Sequence, residues 1–172
     1  ATYDFSGTNE FTIAAWVKPE TNGDGAIFSR VSIQTSATNC AYNLAFVVAF
    51  TAAWKAELCD GSSFYRLIAP ENTVETGVWQ HVVVTWDGTD FVLYKDSVVI
   101  QSGTPGFSLW NPSLSAFRET AIGSAGRDAS YTYDGLIDEL RVYNRGLDYN
   151  EVQTLYYDKE CREPAGIQGE II

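Results

Sequence analysis

One stretch near the C-terminus combines the composition of a β-strand with two adjacent carboxylates. Residues 135–143 read Gly-Leu-Ile-Asp-Glu-Leu-Arg-Val-Tyr. A buried charge without a partner is strongly destabilising, so Asp138 and Glu139 need a cation or a charged neighbour. Neither face of a regular strand would be uniformly apolar here. A β-bulge at the two carboxylates would let Ile137 and Leu140 share the inner face, and we therefore predict a bent strand whose charges are compensated.

The rest of the chain reads as a series of short strands separated by turns. Apolar and aromatic runs alternate with Gly, Pro and Asp, a spacing typical of two antiparallel sheets packed face to face. One helix is predicted, because Asp148 and Glu151 form a capping-box pattern and Leu147 can pack against Val152. The predicted fold is all-β, a two-sheet antiparallel sandwich with one short C-terminal helix.

Chain organisation and charge restrict the classes of partner. No repeat or linker divides the sequence, so we expect one domain over residues 1–160 and a polar tail over residues 161–172. The formal net charge of −11 opposes binding to nucleic acid or to an anionic membrane. No apolar run reaches the length of a membrane span. The chain starts at Ala1 and contains no Met, which we interpret as a processed chain or an excised domain.

The three cysteines indicate the redox setting. Cys40 and Cys59 flank two strand-like runs that a turn near residues 49–52 would fold into an antiparallel pair. The two thiols would then lie roughly opposite each other, so we expect a disulfide and an extracellular or cell-surface location. The alternative is two buried free thiols in a reducing compartment. Cys161 falls in the tail and would pair with another chain or with a segment outside this sequence.

Three blocks of the sequence together resemble one family. Residues 11–19 read Phe-Thr-Ile-Ala-Ala-Trp-Val-Lys-Pro, and residues 77–88 read Gly-Val-Trp-Gln-His-Val-Val-Val-Thr-Trp-Asp-Gly. The third block is the strand described above, continued by Asn-Arg-Gly-Leu. In this order and spacing, the chain resembles the laminin-G-like, concanavalin A-like jelly-roll domains of secreted proteins. The resemblance implies a jelly-roll sandwich. It implies little about function, because lectins, adhesins, receptor modules and glycosidases share that fold.

The resemblance also implies a calcium site. In similar domains the Asp of the Ile-Asp-Glu block often binds a structural calcium together with backbone carbonyls. That role falls to Asp138, with Asp134 as the second metal candidate. Calcium needs about six to eight oxygen ligands. The alternative is that Asp138 accepts backbone hydrogen bonds at a bulge while Glu139 pairs with Arg141 or Arg145.

Aromatic residues supply the predicted ligand surface. Pyranose rings stack their C–H faces on exposed aromatic side chains, while polar neighbours bind the hydroxyl groups. The tryptophans of the matched blocks are assigned to the core: Trp16, Trp79 and Trp86. Aromatic residues outside these blocks or at their edges form the predicted ligand-binding set: Trp54, Tyr65, Trp110, Tyr131 and Tyr133. Strand alternation would point Tyr131 and Tyr133 the same way, and ordinary half-buried packing is the alternative.

Catalysis is not predicted. His81, the one histidine, falls in an apolar central strand, which indicates a structural role, and no Ser or Cys lies in an activated context. Glycosidases with this kind of sandwich carry two carboxylates on one strand face in a Glu-x-Asp-x-x-Glu run. No such run is present. We therefore predict an extracellular, non-catalytic recognition module that binds carbohydrate or is adhesive, with a structural calcium. The alternative is a structural or protein-interaction domain of a surface appendage or multidomain surface protein, without a sugar site.

Overall fold

Two antiparallel five-stranded sheets make up the fold. The computed structural model describes residues 10–23, 25–32, 40–47, 52–59, 63–106, 117–124 and 131–158. In these ranges the elements are β1 (Phe11–Pro19), β2 (Gly25–Ser32), β3 (Cys40–Val47), β4 (Ala53–Cys59), β5 (Phe64–Ile68), β6 (Gln80–Trp86), β7 (Phe91–Lys95), β8 (Val98–Gly103), β9 (Phe117–Ile122), β10 (Gly135–Tyr143) and α1 (Tyr149–Tyr157). Sheet 1 has the order β10-β1-β6-β7-β8, and sheet 2 has the order β5-β4-β3-β2-β9. The predicted all-β sandwich with one short C-terminal helix is confirmed.

The main core fills the space between the two sheets. Alternate side chains of β1, β6 and β7 meet those of β2 and β4, and burial of such apolar area is the dominant stabilising contribution. The largest fully buried side chains include Phe11, Phe28, Trp54, Trp86 and Phe91. The ring of Phe91 packs edge-to-face against Trp86, with centroids 6.2 Å apart.

Helix α1 covers the outer face of sheet 1. Val152 and Leu147 join Ala14, Val83 and Tyr94 in a second apolar cluster, which confirms the predicted packing at the helix start. Strands β1 and β6 are therefore buried on both faces, which explains their nearly unbroken apolar sequences.

The predicted capping box starts α1. The carboxylate of Asp148 accepts the N–H of Glu151 at 2.9 Å, and the carboxylate of Glu151 accepts the N–H of Asp148 at 3.0 Å. These two bonds satisfy donors that the first helical turn leaves without a partner.

Over the described residues, no helix has the length and apolar composition needed to cross a bilayer.

Strand β10 carries the bulge that its sequence predicts. Trp16 pairs with Asp138, whereas Ala14 pairs with Arg141, so one residue of β1 faces two residues of β10. At the bulge Glu139 has a φ of 47°, in the left-handed region that L-residues rarely adopt. The extra residue rotates the rest of the strand.

The rotation has the predicted effect on packing. Ile137, Leu140 and Val142 all contact the core between the sheets, although a regular strand would send Ile137 and Leu140 to opposite faces. The bulge thus reconciles the irregular sequence of β10 with a single inner face.

Strands β3 and β4 form the predicted antiparallel pair. Tyr42 lies opposite Leu58, Cys40 begins β3, and Cys59 ends β4. Both cysteines therefore stand at the same end of this strand pair, and the disulfide between them stays a prediction. The predicted tail, residues 161–172, lies outside the described residues together with Cys161.

Candidate functional site

Trp54 lies in the core rather than at a ligand surface. Its side chain is 0% exposed, and its indole N–H donates to the carbonyl of Thr73 at 3.0 Å and to Oε1 of Gln80 at 3.3 Å. The expectation that this indole faces solvent is wrong. The reason is strand alternation, because Trp54 shares the inward face of β4 with Ala56 and Leu58.

Tyr131 and Tyr133 do not point the same way. Tyr131 is 48% exposed, whereas Tyr133 is 7% exposed and belongs to the core. The predicted alternation is wrong because Tyr131 lies in a helical turn and the next residue forms only an isolated bridge. The Tyr133 hydroxyl donates to the carbonyl of Leu136 at 3.4 Å, and burial, reinforced by nearby carboxylates, raises the pKa of this phenol.

Tyr65 is half-buried, and it packs against the core from β5. Its hydroxyl lies where a Cβ at position 103 would stand, so a side chain in place of Gly103 of β8 would require Tyr65 to shift. Tyr65 thus closes the gap where the edge strands of the two sheets meet. Trp110 lies outside the described residues.

Trp79 is exposed, although its sequence context assigned it to the core. It is 40% exposed, and it stands just after Gly77, whose N–H donates to the carbonyl of Pro19 at 2.7 Å. Exposed Val78 precedes it, and exposed Leu136 lies across β1. The core assignment is wrong because β6 begins one residue later, so Trp79 is not held inside by the strand.

Trp16, Trp86 and His81 are buried as predicted. Trp16 and His81 lie in the outer layer of sheet 1 beneath α1. Their ring centroids are 5.0 Å apart, and the ring of Tyr156 from α1 stacks on Trp16 at 5.5 Å. The histidine therefore belongs to an aromatic stack that docks the helix.

The chain's own groups compensate the two carboxylates of β10. Oδ1 of Asp138 accepts the N–H of Glu139 at 2.8 Å, and Oε2 of Glu139 accepts from Nη2 of Arg141 at 3.2 Å. Asp134 is exposed nearby. Within the described ranges, no group of three or more His, Cys, Asp and Glu side chains is arranged to hold a metal ion. A calcium ion at Asp138 would therefore need further oxygen ligands beyond these side chains.

A cluster of charged and apolar side chains on the outer face of sheet 2 was not predicted. It consists of Lys55 and Glu57 from β4 with Phe64, Arg66 and Ile68 from β5, and we call it the β4–β5 surface. The strand register places Glu57 opposite Arg66 and Lys55 opposite Ile68. Since alternate side chains share a face, all five lie on one side of two hydrogen-bonded strands. The alternation of polar and apolar residues in β4 is the sequence signal that could have identified the cluster.

Glu57 is the centre of the β4–β5 surface. Its Oε1 accepts from Nε of Arg66 at 2.7 Å and from Nζ of Lys55 at 2.9 Å. The Glu57 side chain is 7% exposed, whereas that of Arg66 is 51% exposed. Burial by itself would raise the pKa of Glu57, but Lys55 and Arg66 together outweigh it and lower the pKa below its ordinary value. Glu57 is therefore an ionised, fixed hydrogen-bond acceptor at neutral pH.

The apolar members orient the charged ones. The guanidinium of Arg66 lies over the ring of Phe64, 4.9 Å from its centroid, which favours a parallel stack of the two planes. Ile68 is exposed at the other end of β5. The surface thus presents an exposed guanidinium, held in place by a buried carboxylate, beside apolar contacts, and this combination suits a sugar ring with polar edges and C–H faces.

Sequence comparison identifies the family pattern. A model described as the concanavalin A-like lectin/glucanases superfamily, of the laminin G type, matches residues 2–153. This match confirms the resemblance drawn from the three sequence blocks.

Several solved structures share the fold. The native heptameric SAP-like pentraxin from Limulus polyphemus superposes with a TM-score of 0.66 at 20% identity, covering 91% of this chain and 73% of that one. The CBM40 module of Ruminococcus gnavus IT-sialidase, bound to α2,3 sialyllactose, gives a TM-score of 0.72 at 16% identity, covering 87% and 83%. Domain 4 of AbnA, a GH43 extracellular arabinanase from Geobacillus stearothermophilus in complex with arabinotriose, gives 0.55 at 21% identity, covering 87% and 67%. At these identities the likeness concerns the jelly-roll fold.

Proposed function

The chain belongs to the concanavalin A-like lectin/glucanase superfamily, and from that premise we propose that it is a non-catalytic carbohydrate-recognition module whose binding site is the β4–β5 surface. The main support for this proposal is the environment of Glu57. This carboxylate is nearly buried and ionised between two cations, on the side of sheet 2 that faces away from the core.

A buried, ionised carboxylate of this kind contributes little net stability to a fold. Apolar residues of similar volume often replace a buried ion pair without loss of stability, whereas an ionised group whose pKa is shifted by specific partners marks a candidate functional site. The two strands hold Glu57, Lys55 and Arg66 in fixed register. A site built on strands is preorganised, so less entropy is lost when a ligand binds.

The relatives with bound sugars support the same class of ligand. The CBM40 module binds sialyllactose and the arabinanase domain binds arabinotriose, and both share the fold of this chain. We extend carbohydrate recognition to this chain because its β4–β5 surface supplies the hydrogen-bonding and apolar groups that a sugar needs.

A glycan panel tests the proposal with matched variants. We expect wild type to bind at least one glycan, and we expect Glu57→Gln to weaken that binding about tenfold, since Arg66 loses the charged acceptor that fixes its guanidinium. Glu151→Gln is the control, because Glu151 is also a carboxylate paired with an arginine but lies on α1. Equal binding by Glu57→Gln and wild type would place the site elsewhere, and a wild type that binds no glycan would refute the function.

The protein-interaction alternative is favoured by one separate observation. Val78, Trp79 and Leu136 are exposed around the end of β1, and exposed apolar residues that include tryptophan are common in protein interfaces. Sedimentation over a range of concentrations would detect self-association through this surface. Association that Trp79→Ala abolishes, together with an absence of glycan binding, would support the alternative over the carbohydrate module.

A structural calcium and an extracellular setting complete the proposal. Asp138 and Asp134 remain the proposed ligands, and the second carboxylate oxygen of Asp138 is the one left for an ion, since Oδ1 accepts the Glu139 N–H. Melting the protein with calcium and with EDTA tests this part. A site saturated at about a hundred times its Kd adds about 2.7 kcal/mol to stability. An unchanged melting temperature would refute a structural calcium.

A further inference from the structure

The β4–β5 surface has more positive than negative charge. Among the described residues, Lys55 and Arg66 pair with one carboxylate, that of Glu57, which accepts from both of them. Resting on the proposed function, we infer that this surface selects an acidic glycan, and that Arg66 binds the carboxylate group of one sugar residue.

The guanidinium of Arg66 has the geometry that such a ligand requires. Only its Nε donates to Glu57, at 2.7 Å, and among the described residues neither terminal nitrogen has a hydrogen-bond acceptor. The side chain is 51% exposed. A planar guanidinium can donate two parallel hydrogen bonds to one carboxylate, which is the strongest and most directional pairing available to an arginine.

Two neighbours fix that guanidinium before a ligand arrives. Glu57 accepts from Nε, and the guanidinium carbon lies over the ring of Phe64, 4.9 Å from its centroid. Both contacts reduce the side-chain freedom that binding would otherwise remove. Glu57 is therefore a positioning residue for Arg66.

The remaining members supply the rest of the sugar contact. Lys55 is mostly buried and bound to Glu57, so its positive charge neutralises the carboxylate. The positive charge of Arg66 is then available to an acidic ligand. Ile68 lies opposite Lys55 and is exposed, which provides an apolar contact for a C–H face of the ring. The net charge of −11 opposes an acidic ligand at a distance. Exposed charges are screened beyond about 8 Å at physiological salt, so Lys55 and Arg66 dominate once the ligand is in contact.

Calorimetry with acid and ester forms of the same sugar chain tests the inference. The probes are oligogalacturonate and oligomannuronate, each compared with its methyl ester, which keeps the sugar ring and removes the charge. We expect wild type to bind at least one acid form about tenfold more tightly than its ester. Arg66→Gln should lower the affinity for the acid form to that for the ester and so remove the preference, whereas Arg66→Lys should retain only part of the preference. Arg145→Gln, at another exposed arginine–glutamate pair, should leave both affinities unchanged.

The outcomes separate this inference from the proposed function. Equal affinity for acid and ester, or binding of neutral panel glycans without either uronate, would overturn the acidic preference and leave carbohydrate recognition in place. Binding of polyglutamate as tight as that of the uronates would also overturn it, since charge alone would then suffice. If no acid, ester or neutral glycan binds to a folded wild-type protein, the inference and the proposed function both fail.

Discussion

Replacing Glu57 by glutamine should destabilise the protein in a pH-dependent way. The substitution keeps the size of the side chain and one acceptor oxygen, but it removes the charge that Lys55 and Arg66 surround at 2.9 and 2.7 Å. Both cations then face a neutral amide on the outer face of sheet 2. The variant therefore isolates the charge of Glu57 from its packing.

The expected magnitude follows from the two contacts. A hydrogen bond to a charged group contributes about 1.5–3 kcal/mol, and the contribution falls where solvent screens the pair. Arg66 is half exposed and Lys55 is mostly buried, so we expect Glu57→Gln to lose about 2 kcal/mol of unfolding free energy at neutral pH. For a chain of this size, such a loss lowers the melting temperature by about 4–8 °C.

Thermal melts of wild type and variant across a pH series provide the assay. The pKa of Glu57 is lower in the folded state than its ordinary value of 4.5. Its charge therefore contributes full stability above pH 4.5, and that contribution disappears as the pH falls through the folded pKa. The two melting curves should converge at low pH. A variant as stable as wild type at neutral pH, or a difference that does not change with pH, would refute this account of the cluster.

Three further substitutions test other parts of the structure. Val152→Ala removes buried contacts between α1 and sheet 1 and should cost about 2 kcal/mol in denaturant unfolding; a loss below about 0.5 kcal/mol would contradict the docking of the helix. Gly135→Ala should cost more than about 1 kcal/mol, because Gly135 has a φ of 149° and a methyl group would clash with the Lys18 carbonyl; a neutral effect in the same assay would be inconsistent with this strand pairing. Arg145 lowers the pKa of Glu151 to about 2, so any stability that Glu151→Gln removes should be present above pH 4.5 and vanish as the pH falls through about 2; a loss that persists at lower pH would rule out the ion pair as its source.

Local sequence chemistry was sufficient to predict the bulge in β10 and the start of α1. Adjacent Asp138 and Glu139 interrupt the apolar pattern of the strand, and one extra residue, a β-bulge, restores a single inner face. The capping box of Asp148 and Glu151 likewise depends on residues three positions apart. In both cases the partners are neighbours in the chain.

The ligand surface was harder to predict because inside and outside depend on where a strand begins. Trp54 and Trp79 exchange their predicted roles: alternation in β4 turns Trp54 inward, and β6 starts one residue too late to bury Trp79. The contact between Glu57 and Arg66 requires the pairing of β4 with β5, and the register of that pairing cannot be read from the sequence of either strand alone. The alternation of Lys55 and Glu57 with apolar residues in β4 is compatible with an outward face, but it does not indicate a partner.

Glycan binding by wild type and Glu57→Gln, measured side by side with Glu151→Gln, tests whether the β4–β5 surface is the binding site. We expect wild type and Glu151→Gln to bind the same glycan with equal affinity, and Glu57→Gln to bind it about tenfold more weakly while remaining folded. Loss of binding in Glu151→Gln with full binding in Glu57→Gln would contradict a site on the β4–β5 surface.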